Sequence, residues 1–338
     1  MAVTTVDKSK NPLARARDAV WNPSTASLRL LALAAVVVNA GIILTGGVVR
    51  LTSSGLGCPT WPKCTGESLV PSAHPSHSLF NMLIEFGNRM LTFLVLAVAV
   101  SVFVAARRLR PQRRELVVLA LLQPLGVLLQ AGIGGITVLT KLNPSTVSIH
   151  YLCSSALIFA AFLLYVRVGE GDGPVRVLVA PPVRGATRLL TATVVAVLIV
   201  GTLVTGTGPH AGDSAADRLT FMHLHDITRI HSFLAWATVV LAVVLLVLMA
   251  RTGAPARTRR AVHLFLGAVL LQGVIGYAQF FLLESFDGNT DLSTTAVDVQ
   301  TALVGVHLFG SAILWIAALH VLFSQRVRAE VPAAPVAG

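Results

Sequence analysis

Gly305-Val306-His307-Leu308-Phe309-Gly310-Ser311-Ala312-Ile313-Leu314-Trp315, near the C-terminus, has an echo in Ser148-Ile149-His150-Tyr151-Leu152-Cys153-Ser154-Ser155-Ala156-Leu157-Ile158. Each stretch sets one histidine close to the start of a long apolar run. Histidine is costly inside a bilayer, so an intramembrane histidine is a functional candidate by default. Two of them in matching places point to two related sites built by two related halves.

The surrounding chain has the composition such sites need. Its 338 residues are 54% hydrophobic and only 12% charged. That is too apolar for a soluble domain and typical of a multi-span membrane protein, with membrane lipid as its surroundings. A net charge of +11 would fit a nucleic-acid binder. The charges instead lie in short clusters between apolar runs, so no nucleic-acid partner is expected. Residues 1–27 are polar and basic, with Lys8, Lys10, Arg15 and Arg17. The run that follows them is long enough to remain as a membrane span, and no cleavable signal peptide is expected.

Eight runs of spanning length lie near 28–50, 80–106, 115–137, 148–167, 187–207, 226–250, 261–283 and 300–324. Arginines gather in alternate connections: Arg107, Arg108, Arg110, Arg113 and Arg114, then Arg167, Arg176, Arg184 and Arg188, then Arg251, Arg257, Arg259 and Arg260, and finally Arg326 and Arg328. The opposite side has little beyond Arg50, Lys63, Lys141 and Arg218. The expectation is a multi-pass protein of the cell (cytoplasmic) membrane, both termini cytoplasmic, the even-numbered runs entering from outside.

The halves echo each other throughout. Leu44-Thr45-Gly46-Gly47 matches Val204-Thr205-Gly206-Thr207. Leu128-Leu129-Gln130-Ala131-Gly132-Ile133-Gly134 matches Leu270-Leu271-Gln272-Gly273-Val274-Ile275-Gly276. Glu85-Phe86-Gly87-Asn88-Arg89 matches His225-Asp226-Ile227-Thr228-Arg229. Four runs separate each element from its echo, so both copies keep one orientation. The expected fold is an all-α integral membrane protein of two pseudo-symmetric four-helix bundles in parallel repeat. The boundaries follow: a cytoplasmic N-terminal segment 1–27, a first bundle 28–167, a linker 168–186, a second bundle 187–324 and a tail 325–338. The small residues of the third and seventh runs are read as close helix packing.

His150, His231 and His307 fall early in even-numbered runs, toward the outer leaflet. His231 and His307, on the sixth and eighth runs, are placed to be two axial ligands of one haem iron. The alternative is an interhelical hydrogen-bonded pair. In the first half His150 has no histidine partner; Glu85, Asn88 and Leu91 occupy the region opposite. One ligand, an open side and a nearby carboxylate suit chemistry, whereas two strong ligands suit electron transfer or structure.

Glu85, Asn88 and Arg89 share a helical face. Glu85 reads either as a proton-transferring carboxylate or as the partner of Arg89. Arg89 and Arg229 hold equivalent places and could fork onto haem propionates or simply snorkel to the interface. His225 aligns with Glu85 and could line a haem edge. The outward loop Leu56-Gly57-Cys58-Pro59-Thr60-Trp61-Pro62-Lys63-Cys64 carries two cysteines six positions apart. In an oxidising compartment they read as a disulfide, structural or redox-active. A zinc site is not expected, because His74 and His77 add no metal spacing. Cys153 reads as a small core residue.

These marks together resemble haem A synthase, over residues 28 to 325. The resemblance rests on the Gly-Leu-Gly-Cys-Pro loop with Cys58 and Cys64, on Glu85-Phe86-Gly87-Asn88-Arg89, and on His150, His231 and His307. It implies oxidation of the C8 methyl of haem O to a formyl group by successive hydroxylation, then loss of water from a geminal diol. Haem A for terminal oxidases would be the product. It implies that Glu85 is the essential glutamate, that His231 and His307 ligate a resident haem b, and that His150 ligates the substrate haem. A haem O synthase and an electron donor are the implied partners, and self-association is permitted by the lipid-facing small residues. The chain departs from the family at Asn88, where many members carry a histidine, so bis-histidine ligation of the substrate haem is not expected.

Three rivals remain at this stage. A b-type electron-transfer cytochrome would need ligands near both membrane faces. A transporter would place polar groups and broken helices near the midplane, where only Pro124 interrupts a run. A haem chaperone without chemistry differs by not needing Glu85.

Overall fold

Each apolar run folds into one helix, because a segment surrounded by lipid must satisfy its own backbone groups. The computed structural model describes residues 22–72, 78–210, 212–213, 216–286 and 294–328. Lys8, Lys10, Arg15, Arg17, His74, His77 and residues 329–338 lie outside them. The helices are α1 (Thr25–Leu51), α2 (Leu79–Arg108), α3 (Arg114–Leu139), α4 (Pro144–Val168), α5 (Pro181–Thr207), α6 (Leu224–Thr252), α7 (Ala256–Phe286) and α8 (Thr294–Ser324). All eight are long and apolar enough to cross a membrane. The protein is thus an all-α integral membrane protein, as the hydropathy pattern predicts.

Local chemistry sets the ends. Ser24 caps α1 by accepting the Ser27 amide, and Asn143 caps α4 by accepting the Ser145 amide, with Pro144 in the first turn. Paired prolines start α5 at Pro181, ahead of the predicted 187. Gly253 ends α6 in the left-handed conformation, φ +68°, which an L side chain adopts only at a cost. α3 continues through Pro124.

Within each half, consecutive helices pack side by side, and α1 also meets α4 while α5 meets α8, so each set of four closes on itself. The two sets meet along α1, α4, α5 and α8. Apolar attraction alone cannot drive this, since lipid is as apolar as leucine; small residues permit close approach instead. Ala32, Ala35, Ala105, Ala106, Ala120, Ala161, Ala242 and Ala318 are accordingly buried.

One element was not foreseen. β1 (Val175–Val177) pairs antiparallel with β2 (Arg326–Arg328), joining the connection between the halves to the residues after α8. An arginine–carboxylate network lies beside it. Arg113 pairs with Asp172 at 2.5 Å and with Glu115 at 2.8 Å. Arg167 pairs with Glu170 at 2.5 Å and also with Glu115.

Candidate functional site

His231 of α6 and His307 of α8 converge inside the second set of helices, ring centres 6.2 Å apart and planes at 75°. Among the described contacts no hydrogen bond joins them. Two imidazoles on opposite sides of one ion, each metal–nitrogen bond about 2 Å long, have ring centres about 6 Å apart. The observed spacing therefore fits a shared metal. Among the described residues, no group of three or more His, Cys, Asp or Glu side chains is arranged to hold a metal ion. A metal held by this pair must bring further ligands with it, as a haem macrocycle does.

Glycines make the room for these rings. A Cβ at Gly201 of α5 would lie 3.2 Å from His231 Cε1, and one at Gly276 of α7 would lie 3.4 Å from His307 Cε1. In the first half, a Cβ at Gly134 of α3 would lie 3.3 Å from His150 Cε1. Gly134 and Gly276 thus pack closely against an imidazole of the neighbouring helix, whereas Gly132 and Gly273 face open space. Nδ1 of all three histidines is buried without a well-formed hydrogen bond. The backbone of Val197 nevertheless approaches His231 and that of Gln272 approaches His307.

The first half differs at the positions that correspond to the region of His231. Asn88 Oδ1 accepts a hydrogen bond of 2.7 Å from the Thr45 hydroxyl, which engages the atom an amide would use as a metal ligand. Leu91, the repeat counterpart of His231, is 37% exposed. His150 itself is fixed through its backbone: Gln130 of α3 donates to its carbonyl at 3.1 Å and also bonds Ser154.

Glu85 and Arg89 pair, and both hold the loop after α1. Glu85 is 5% exposed. Its Oε2 accepts the Cys58 amide at 2.7 Å, while Oε1 accepts Arg89 Nε at 3.1 Å and Nη2 at 2.5 Å. Arg89 further donates to the carbonyls of Cys58 at 2.8 Å, Thr60 at 3.0 Å and Lys63 at 3.2 Å. Cys58 and Cys64 form a disulfide, both wholly buried. The Arg89 guanidinium therefore grips protein groups in this geometry. Arg229, its counterpart, is exposed. His225 is exposed too, its ring packing tilted on Phe280 at 5.7 Å.

Three contacts carry little sequence signal. Trp61, between the cysteines, lies flat on α3: a Cβ at Gly135 would come within 2.6 Å of its ring. Gly135 adjoins Gly134, the seat of His150. Between the halves, Tyr151, next to His150, bonds Ser311 at 2.5 Å, and Trp315 Nε1 donates to the Ser155 carbonyl at 2.9 Å. Only the unusual polarity of Ser154, Ser155 and Ser311 within apolar runs could have hinted at a seam.

The family described as cytochrome oxidase assembly protein (COX15-CtaA) matches residues 29–319. Haem A synthase of Symbiobacterium thermophilum is 31% identical over 147 residues, covering 43% of this chain and 46% of that protein. Haem A synthase of Lysinibacillus sphaericus is 32% identical over 146 residues, covering 43% and 46%. Haem A synthase of Staphylococcus haemolyticus is 28% identical over 205 residues, covering 60% and 64%. The chain spans about half the length of the first two relatives and somewhat more of the third. With the family matched across all eight helices, the chain belongs to the cytochrome oxidase assembly family that includes the haem A synthases.

Proposed function

We propose that this protein is a haem A synthase, acting in haem A biosynthesis for terminal oxidases. The single observation that carries the haem-binding part is the His231–His307 pair at 6.2 Å between glycine seats. Family membership carries the substrate, haem O. On this reading the C8 methyl is hydroxylated twice, an external oxidant taking up two electrons from carbon at each step, and the geminal diol then loses water to leave the formyl group.

His231 and His307 would hold a resident haem b, which would supply a one-electron redox couple there. Gly201 and Gly276 let the rings reach it. His150 orients the substrate haem from one side, and Asn88, anchored by Thr45, leaves the other side without a second imidazole. Glu85 is the proton-handling group: among the described residues it is the fully buried carboxylate. Arg89 balances its charge and fixes its position. His225 and Arg229 stand at the outer mouth of the second bundle, where a haem edge and its propionates would lie. The arginine distribution supports cytoplasmic termini and haem sites toward the outer face. The two closed sets of helices support the division into an N-terminal bundle for the substrate and a C-terminal bundle for haem b. A haem O synthase is the natural partner for handing over so apolar a substrate, an electron donor is required, and self-association is compatible with the exposed helix faces.

The test is to express the chain with a haem O synthase, extract the haems and weigh them. Haem A, or its hydroxymethyl precursor, should appear only with the intact chain. Glu85→Gln should lose the product while keeping the haem b spectrum, and His231→Ala should lose the low-spin spectrum. Untouched haem O with haem b still bound, under added reductant, would favour a b-type electron carrier or a haem chaperone instead.

A further inference from the structure

The arginine-rich end of the molecule carries a groove unrelated to either histidine site. It has a volume of about 730 Å³, within the range of about 300–1,000 Å³ usual for small-molecule sites. The start of α1, the α2–α3 connection and the end of α4 line it. One end is cationic, with Arg29, Arg110 and Arg113; the wall running along α1 is apolar, with Leu30 and Leu33. Leu30 is 68% exposed and Leu33 41%.

The charge balance within the groove is uneven. Asp172 is neutralised by Arg113 at 2.5 Å. Glu170 is neutralised by Arg167 at 2.5 Å and faces Arg326 at 3.6 Å. Arg29 has no carboxylate partner among the described residues. Its guanidinium lies 5.0 Å over the Tyr165 ring and reaches the Tyr165 hydroxyl at 3.4 Å, which orients it and leaves N–H donors for another group. Arg110 is exposed on the connection, also without a carboxylate partner among the described residues. Two uncompensated cations therefore sit at the membrane edge, at the head of an apolar wall leading inward.

We propose that this groove binds one anionic phospholipid. The phosphate lies between Arg29 and Arg110, and an acyl chain runs along Leu30 and Leu33. The cations select against a zwitterionic lipid, and the apolar wall selects against a soluble phosphate. Basic pockets between helices at a membrane face recognise anionic headgroups by this combination. The assignment does not depend on what the histidines hold.

The full chain, purified in mild detergent, is titrated with phosphatidylglycerol or with phosphatidylcholine of the same acyl chains, and bound lipids are counted by native mass spectrometry. One phosphatidylglycerol should be retained well below the concentration at which phosphatidylcholine binds, and inorganic phosphate should not displace it. Arg29→Gln with Arg110→Gln should weaken that lipid by about 25-fold, each arginine contributing about fivefold. Arg259→Gln with Arg260→Gln, which removes the same charge from exposed positions at the same end, should not. Arg110→Glu alone, on an exposed connection, should reproduce most of the loss in a normally folded protein. Equal retention of the two lipids, displacement by phosphate, or equal loss in the control pair would overturn the proposal. So would tight lipid binding that emerges only when residues 1–21 are deleted, since the chain itself would then fill the groove.

Discussion

Gly201, Gly134 and Gly276 show how a missing side chain can matter as much as a present one. Gly201 and Gly134 lie so close to an imidazole that an added Cβ would press on the ring, while Gly276 leaves its imidazole ordinary contact distance. Gly201→Val should crowd His231 and shift or broaden the low-spin haem b spectrum, whereas Gly273→Ala, facing open space, should leave it unchanged; absorption spectra of the purified variants decide it. Glu85 and Arg89 make the complementary case for charge. Removing the guanidinium by Arg89→Met strands a carboxylate that is 6% exposed and frees the Cys58, Thr60 and Lys63 carbonyls. Breaking a buried pair from one side destabilises by about 3–5 kcal/mol. A chemical-unfolding midpoint in detergent should fall accordingly, and Glu85→Gln, which keeps an acceptor for the Cys58 amide, should fall less.

At the scale of elements, the loop after α1 is a folded piece of structure rather than a tether. The disulfide, the Glu85–Arg89 latch and the Trp61–Gly135 contact fasten it at three points. Gly135→Ala would put a methyl inside the Trp61 ring, so the ring must leave its seat. Overpacking of this kind costs about 1–3 kcal/mol. The expected result is faster reduction and alkylation of Cys58 and Cys64, read by a gel mobility shift. Gly132→Ala, with free space around it, should not accelerate labelling, and a matching rate in both variants would mean that Trp61 does not hold the loop.

At the scale of the whole molecule, polar contacts unite the two halves. Tyr151 with Ser311 and Trp315 with Ser155 join α4 to α8, the two helices that carry His150 and His307. At the end away from the arginine clusters, Arg50 donates to the Thr205 carbonyl at 2.8 Å and also to the His210 carbonyl. The Gly55 amide donates to the Gly212 carbonyl at 3.1 Å. Ser311 directs its own hydroxyl at the Leu308 carbonyl, so Tyr151 is the donor in their bond. Tyr151→Phe should therefore cost about 1 kcal/mol, seen as a lower thermal midpoint with an unchanged haem b spectrum. A changed spectrum would mean that the seam also sets the ligand geometry.

The sequence by itself determined the number of helices, their approximate limits, the arginine-rich side, the three histidines on even-numbered helices and the Cys58–Cys64 pair. Hydropathy, charge placement and spacing act locally along the chain, and lipid leaves an apolar run no alternative to a helix. The tertiary structure alone decided what those groups touch. Glu85 finds the Cys58 amide across 27 positions, Tyr151 finds Ser311 across 160, and the strand pair β1–β2 joins segments on either side of the whole second half. Periodicity marks which residues face inward, but not which neighbour each one meets. That depends on how eight helices pack, and in a bilayer small residues and a few polar bonds settle the packing.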